Sequence, residues 1–349
     1  MNYLLINNID DKFNNINIAG ANIKDICNGY NIVESKEDIK EEGYTIIIPN
    51  NVFFTDTKAL DEIVEYYNMK KLGFISVYRG NTKLYLYVVD NSIVNENYED
   101  LEGKLIGSGF TSTKFYHFTD FYELSLVEDE IKKNINKKLM ISGVRIDNPD
   151  TVTISPLAKI EPSVYIKAGT IISGKSVIRK NAIVGPDSEI LNSEVDEGAL
   201  VRQSVVYDSK VGKNAQIGPF THLRMNTVVG DNDRIGNFVE IKNSIIGAKT
   251  NVSHLTYVGD TDCGSGVNFG CGTVTVNYDG KNKFRTKIGD NVFIGCNSNL
   301  IAPISIEDGA FIAAGSTITD SLEKDDFAIA RARQYTKKGY GKKFGYKKV

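Results

Sequence analysis

The chain has 349 residues, 41 Lys and Arg against 44 Asp and Glu, and a formal net charge of −3, with a pI of about 5.8. That length allows two domains and a large core, while the acidic balance excludes the broad basic surface that nucleic-acid binding requires. The four cysteines, Cys27, Cys263, Cys271 and Cys296, show no CxxC spacing, so neither a zinc site nor a disulfide framework is expected.

The N-terminus has neither a basic leader nor a long apolar run, and no spanning segment follows, which fits a reducing cytoplasm and no membrane partner. Residues 1–118 read as a small α/β domain. Tyr3–Ile6, Thr45–Ile48, Gly73–Tyr78 and Leu84–Val89 are β-branched or aromatic runs of strand length. Lys58–Met69 has helical spacing, with Leu60, Ile63, Val64 and Tyr67 on one face. The first strand runs into Asn7-Asn8-Ile9-Asp10-Asp11, which lacks the Gly-rich turn of a phosphate cradle. Residues 119–142 read as a connector, an amphipathic helix with the apolar stripe Leu124, Val127, Ile131, Ile135 and Leu139, whose charged opposite face suggests packing against both neighbours.

From Ile154 to Ile318 a branched apolar residue returns every sixth position. One run is Ile154, Ile160, Ile166, Ile172, Ile178, Val184, Ile190; later runs are Ile217, Leu223, Val229, Ile235, Ile241 and Ile288, Ile294, Leu300, Ile306, Ile312, Ile318. No α-helix repeats every six residues and a lone strand alternates every two, so the period predicts a left-handed parallel β-helix over residues 143–320. Three hexads make one triangular coil, and residues 18 apart stack about 4.8 Å from each other. The polar insertion Asn277–Lys287 interrupts the coils and is the loop most suited to carry function. After Thr319 the period ends; 321–336 reads as a short helix or an ordered arm, with a mobile remainder. The tail cations Lys337, Lys338, Lys342, Lys343, Lys347 and Lys348 read either as a solvated tail or as a group near an anion.

Arg224 and Lys242 each follow an inward residue and lie 18 positions apart, so the coil model stacks them. Two cations so close repel unless an anion lies between them, which points to a phosphate; pairing with an acid such as Glu240 is the alternative. Only three histidines exist, His117, His222 and His254. His117 lies outside the coils, which weighs against a three-histidine metal site. His254 sits at a register slip and is a candidate general base, with an ordinary surface histidine as the other reading. Gly270-Cys271-Gly272 offers unencumbered backbone N–H groups suited to an oxyanion, or is simply a tight corner.

The segments Gly218–Arg224, Gly236–Lys242, His254–Asp260, Val267–Thr273, Asn277–Phe284 and Ala328–Arg331 go further. Through them, residues from about 139 to 340 resemble the acetyltransferase half of the bacterial bifunctional N-acetylglucosamine-1-phosphate uridylyltransferase/glucosamine-1-phosphate N-acetyltransferase family. The resemblance implies that Arg224, Lys242, Tyr257, Asn268 and Lys283 hold glucosamine 1-phosphate, with His254 as general base. It also implies an acetyl-CoA site lined by Asn277, Tyr278, Cys296, Ala314 and Arg331, with the amide of Cys271 meeting the oxyanion and no metal. Cys296 stands where the family often has serine. Family members work as trimers with sites between subunits, so a homotrimer is expected.

The front domain departs from the family. It is shorter, and Asn7-Asn8-Ile9-Asp10 replaces the family's Leu-Ala-Ala-Gly-x-Gly-Thr-Arg. Asn50-Asn51 stands for the metal-binding Gly-Asp, and Thr119 for the second ligand, an asparagine. Loss of uridylyl transfer is therefore expected. An acyltransferase for another amino sugar phosphate, or a non-catalytic trimer binding a sugar nucleotide or partner enzyme, remain as alternatives.

Overall fold

A computed structural model describes residues 2–39 and 42–344. Lys347 and Lys348 of the basic tail lie outside the described residues. The chain is mostly β, a parallel β-solenoid of hexapeptide turns with an N-terminal α/β part. It divides into two compact units, one ending at Asp208 and the other beginning at Ser209.

In the first unit, a six-stranded sheet has the order Asn31–Val33, Tyr3–Asn7, Tyr44–Pro49, Thr82–Asp90, Phe74–Arg79, Gly109–Thr111. The four strands expected from apolar runs are present; the outer two are only three residues long and carry no such run. Tyr44–Pro49 is covered on both faces. Ile46 and Ile48 pack with Leu60 and Ile63 of helix Lys58–Lys70, and Ile47 packs with Leu5, Phe74 and Val89 on the other side.

Helix Phe121–Ile141 is capped by Asp120, whose carboxylate accepts from the Glu123 N–H at 2.8 Å. Leu124, Val127 and Ile131 join the front core. At its other end Asn136 donates to the carbonyls of Pro149 and Val152, at 2.8 and 2.9 Å. The helix therefore packs against both neighbours, through its apolar stripe on one side and Asn136 on the other. The coils that follow keep the expected offset at first, with Ile154 beside Ile172 and Ile172 beside Ile190. The slip then shows directly, since Ile190 pairs with Val206 and Ile183 with Leu200.

In the second unit the coils run from Lys210 to Ala328. Ile217, Leu223, Val229, Ile235 and Ile241 are buried, as are Ile288, Ile294, Leu300, Ile306, Ile312 and Ile318. Buried hydroxyls at the corners are satisfied locally: Thr227, Thr273 and Ser298 each donate to the carbonyl three residues back, at 2.8, 2.7 and 2.7 Å. Asn232, Asn291 and Asn297 supply the left-handed corner conformations that most residues resist. No helix forms over 321–336. Phe327–Ala328 instead adds a last parallel strand against Phe311–Ile312, because Phe327 extends the stacked ring ladder of Phe293 and Phe311. The arm reading holds and the helix reading does not. No helix among the described residues is long and apolar enough to cross a membrane.

Candidate active site

The strand His222–Arg224 lies parallel to Arg234–Lys242 with Arg224 opposite Lys242, so the two cations stack as their spacing implied. They differ in setting. Arg224 is half-exposed, and its Nε and Nη2 both reach Glu240 Oε1, at 2.8 and 2.7 Å. The acid named as the alternative partner is thus present, but it occupies one edge of the guanidinium. The Lys242 side chain is only 7% exposed, and its ammonium lies 3.5 Å from Asp260 Oδ2. Lys283, from the inserted loop, joins them. The Lys242 ammonium beside it, and Arg224 more weakly, hold the Lys283 pKa below the ordinary lysine range.

The loop is built rather than loose. Asp279 accepts from the N–H groups of Lys281 and Asn282, at 2.8 and 2.6 Å. Phe284 N–H returns to the Asn277 carbonyl at 2.9 Å. Arg285 anchors its far end on Asp262. At its start, Asn277 donates its amide to Asp260, and the exposed Tyr278 hydroxyl donates to the Gly280 carbonyl at 2.7 Å. Tyr257 closes over the same point. A Cβ on Gly259 would sit 2.4 Å from the Tyr257 hydroxyl and 2.8 Å from the Asn277 amide nitrogen, so only glycine fits there.

A second group forms a column along one corner. Asn237 faces His254. The pairs Val252–Phe269 and Tyr257–Val274 flank the next step with equal offsets, placing His254 opposite Cys271. The pairs Phe269–Ile294 and Val274–Asn299 likewise place Cys271 opposite Cys296. Ile294–Ile312 and Leu300–Ile318 place Cys296 opposite Ala314. Arg331 ends the column, its Cδ 3.4 Å from where a Gly315 Cβ would stand. The coils approach closely here, since a Cβ on Gly270 would lie 2.4 Å from the Cys296 nitrogen.

His254 is exposed, and its Nδ1 lies 2.8 Å from Asn237 Oδ1. An amide oxygen accepts, so Nδ1 carries the proton and Nε2 is left as the basic nitrogen. The following Leu255 has φ +43°, a conformation that is costly for a bulky side chain and concentrates at functional sites. The Cys271 N–H donates to no group among the described residues. The same is true at Cys296 and Ala314, so a free N–H belongs to this corner; its place opposite His254 distinguishes Cys271.

Eleven of the twelve residues singled out in the sequence thus fall into two groups. Asn268 stands apart. It is in register with Asn251 and Phe293, and no described contact ties it to either group. Asp260, Asn243 and Asn237 were not singled out, although Asn237 precedes His254 by one coil and Asp260 follows Lys242 by one.

The hexapeptide-repeat model of bacterial transferases matches residues 285–320. The bifunctional protein GlmU of Acholeplasma laidlawii is 51% identical over 223 residues, 64% of this chain and 48% of its own length. That of Listeria monocytogenes is 38% identical over 317 residues, covering 91% of this chain and 67% of its own length. The chain belongs to the GlmU family. It spans about half the length of the first GlmU relatives it matches, whereas the longer alignments take in the front domain as well. Among solved structures, a UDP-N-acetylglucosamine acyltransferase from Campylobacter jejuni matches with a TM-score of 0.37 at 14% identity, over 49% of this chain and 71% of that one, a likeness too slight to argue from.

Proposed function

We propose that this GlmU-family chain moves acetyl from acetyl-CoA to the amine of glucosamine 1-phosphate, as a cytoplasmic homotrimer. The observation that carries the reading is the pairing of two features in one unit. A cluster of three cations, Arg224, Lys242 and Lys283, suits a phosphate. On the same pair of strands, five residues before the partner of Lys242, His254 keeps a free basic nitrogen opposite the open Cys271 N–H. We assign residues 143–320 to this activity, 1–118 to a front domain, 119–142 to the connector and 321–349 to an arm and tail.

In the reaction, the cations hold the sugar phosphate and Tyr257 adds a contact to the sugar, a role we give to Asn268 as well on the family resemblance alone. His254 Nε2 takes the proton of the attacking amine as nitrogen bonds to the thioester carbonyl carbon. The Cys271 N–H meets the oxygen that becomes negative. Collapse breaks the carbon–sulfur bond, and the thiolate leaves to receive a proton. General-base help is worth about 10²–10⁴-fold and an aimed oxyanion donor about 10²–10³-fold. Tyr278, Asn277, Cys296, Ala314 and Arg331 line the path of the acyl donor.

The test is thiol release from acetyl-CoA by the full chain. Glucosamine 1-phosphate should support it and plain glucosamine should not. Equal rates with both amines would remove the phosphate from the reading, and no release with either would refute acetyl transfer.

A binding role for the front domain has its own support. A cavity of about 370 Å³ opens there, lined by Ile6, Asn8, Phe13, Asn50, Phe53 and Phe118. It lies at the carboxyl ends of the parallel strands Tyr3–Asn7 and Tyr44–Pro49, where α/β sheets hold ligands.

A further inference from the structure

We propose that Asp260 is a positioning residue that fastens the phosphate-binding cations and the acyl-donor loop into one unit, a role that rests on the acetyl-transfer reading. Four observations converge on this carboxylate. It is buried, with 6% exposure, at a backbone φ of +49°. Its Oδ2 accepts from the Asn277 amide and its Oδ1 from the Asn243 amide, both at 2.5 Å. Its main chain is tied on both sides, with the N–H donating to the Lys242 carbonyl and the carbonyl accepting from Thr286 N–H, each at 3.0 Å. The Lys242 ammonium stands 3.5 Å from Oδ2.

The difference between those distances is the argument. Two neutral amides take the short positions on the carboxylate, and the ammonium is left at the edge of hydrogen-bond range. Asp260 therefore offsets the charge of a buried lysine while taking at most one of its three N–H donors, and that one at the limit of hydrogen-bond range, which leaves the others for an incoming anion. The same oxygen holds Asn277, the first residue of the loop that carries Tyr278 and Lys283. Burial pushes the Asp260 carboxyl up, but the amides of Asn243 and Asn277 and the Lys242 charge outweigh it and hold its pKa below the usual carboxylate range. A carboxylate kept ionised in this way serves both substrates at once.

The experiment compares wild type with Asp260→Asn in the full chain, varying each substrate in turn. Asparagine tolerates the left-handed φ but offers one acceptor oxygen for two amides. The KM values for glucosamine 1-phosphate and acetyl-CoA should both rise by about tenfold, the loss of one hydrogen bond to a charged group. Asp260→Glu, which keeps the charge and moves it, should recover one of the two only in part. A fall in kcat with both KM values unchanged would mean a merely structural role and would overturn the proposal. A lower KM for the sugar phosphate with an unchanged KM for acetyl-CoA would overturn it too, since Asp260 would then act only as a repelling charge. If Asp260→Asn does not fold, as judged by its melting transition, Asp260→Glu decides by the same pair of KM values. An inactive wild type would refute the acetyl-transfer reading itself, a result distinct from every outcome above.

Discussion

His254 Nδ1 and Asn237 Oδ1 lie 2.8 Å apart on adjacent coils, which fixes the imidazole with its basic nitrogen turned away from the asparagine. If that nitrogen receives the amine proton, His254→Ala should lower kcat by about 10²-fold or more with little change in KM for the sugar phosphate. The loss should shrink at higher pH, where more of the substrate amine is already unprotonated. Asn237→Ala keeps the histidine but frees the ring, so kcat should fall less, by about tenfold. A His254→Ala enzyme within a few-fold of wild-type kcat at pH 7 would place the base elsewhere.

Arg224 should behave differently. Its contact with phosphate exists before the chemistry begins, so Arg224→Ala should raise KM for glucosamine 1-phosphate by about 10–100-fold, the worth of a hydrogen bond between charged groups. Its kcat should stay within a few-fold. Steady-state kinetics at saturating acetyl-CoA checks this, and an unchanged KM would mean that Glu240, already on the guanidinium, is its real partner.

The stacking of Arg224 on Lys242 could be read from the number 18 alone, because those coils contain no slip. The column from His254 to Ala314 could not. Its steps are 17, 25 and 18 residues, since one coil is shortened and the next contains the inserted loop. Asp260 was hidden for a related reason: its meaning depends on Asn277, which reaches it only once the loop has folded back. The final strand at Phe327 was missed because it returns after 16 residues, with the apolar side chain outside the six-residue beat.

Lys283 gives the site a pH dependence whose sign follows from its neighbours. The Lys242 charge beside it lowers its pKa, so Lys283 loses its proton at a lower pH than an ordinary lysine. Inorganic phosphate should raise the melting temperature of the full chain, as any ligand of the folded state does. The rise should diminish as pH climbs through the lowered Lys283 pKa, because one of three cations is then lost. Added salt should diminish it as well, since part of this attraction is screened. Lys283→Met should flatten the pH dependence; a phosphate effect that persists unaltered in that variant would refute the role.

Assembly should show in solution mass. Phe220 and Phe238 are 54% and 56% exposed and stack at 5.4 Å, and the exposed Leu255 shares their left-handed backbone. Such an exposed apolar column calls for a cover, and a second and third copy of the coils would supply one. Light scattering should give three times the 38.6 kDa chain mass, and Phe238→Asp should lower both mass and activity. Full activity at monomer mass would refute the trimer.

The front domain should have no uridylyl transfer. Nucleotide activation needs free N–H groups after the first strand and a metal held by carboxylate. Here Asn50 fills that region: its amide donates to Asn8 Oδ1, the Asp10 carbonyl and Asn14 Oδ1, at 2.9, 2.9 and 3.1 Å. Its oxygen accepts from the Ile9 N–H at 3.1 Å, which ties the loop down where a phosphate cradle would have to open. The two positions expected to hold metal are neutral and engaged, Asn51 with His117 at 3.2 Å and the Thr119 hydroxyl with Glu123 at 2.7 Å. With UTP, N-acetylglucosamine 1-phosphate and Mg²⁺, pyrophosphate release by the full chain should stay at background while thiol release from acetyl-CoA proceeds in the same preparation. Pyrophosphate above background that disappears in Asn51→Ala would show that this position still serves a metal.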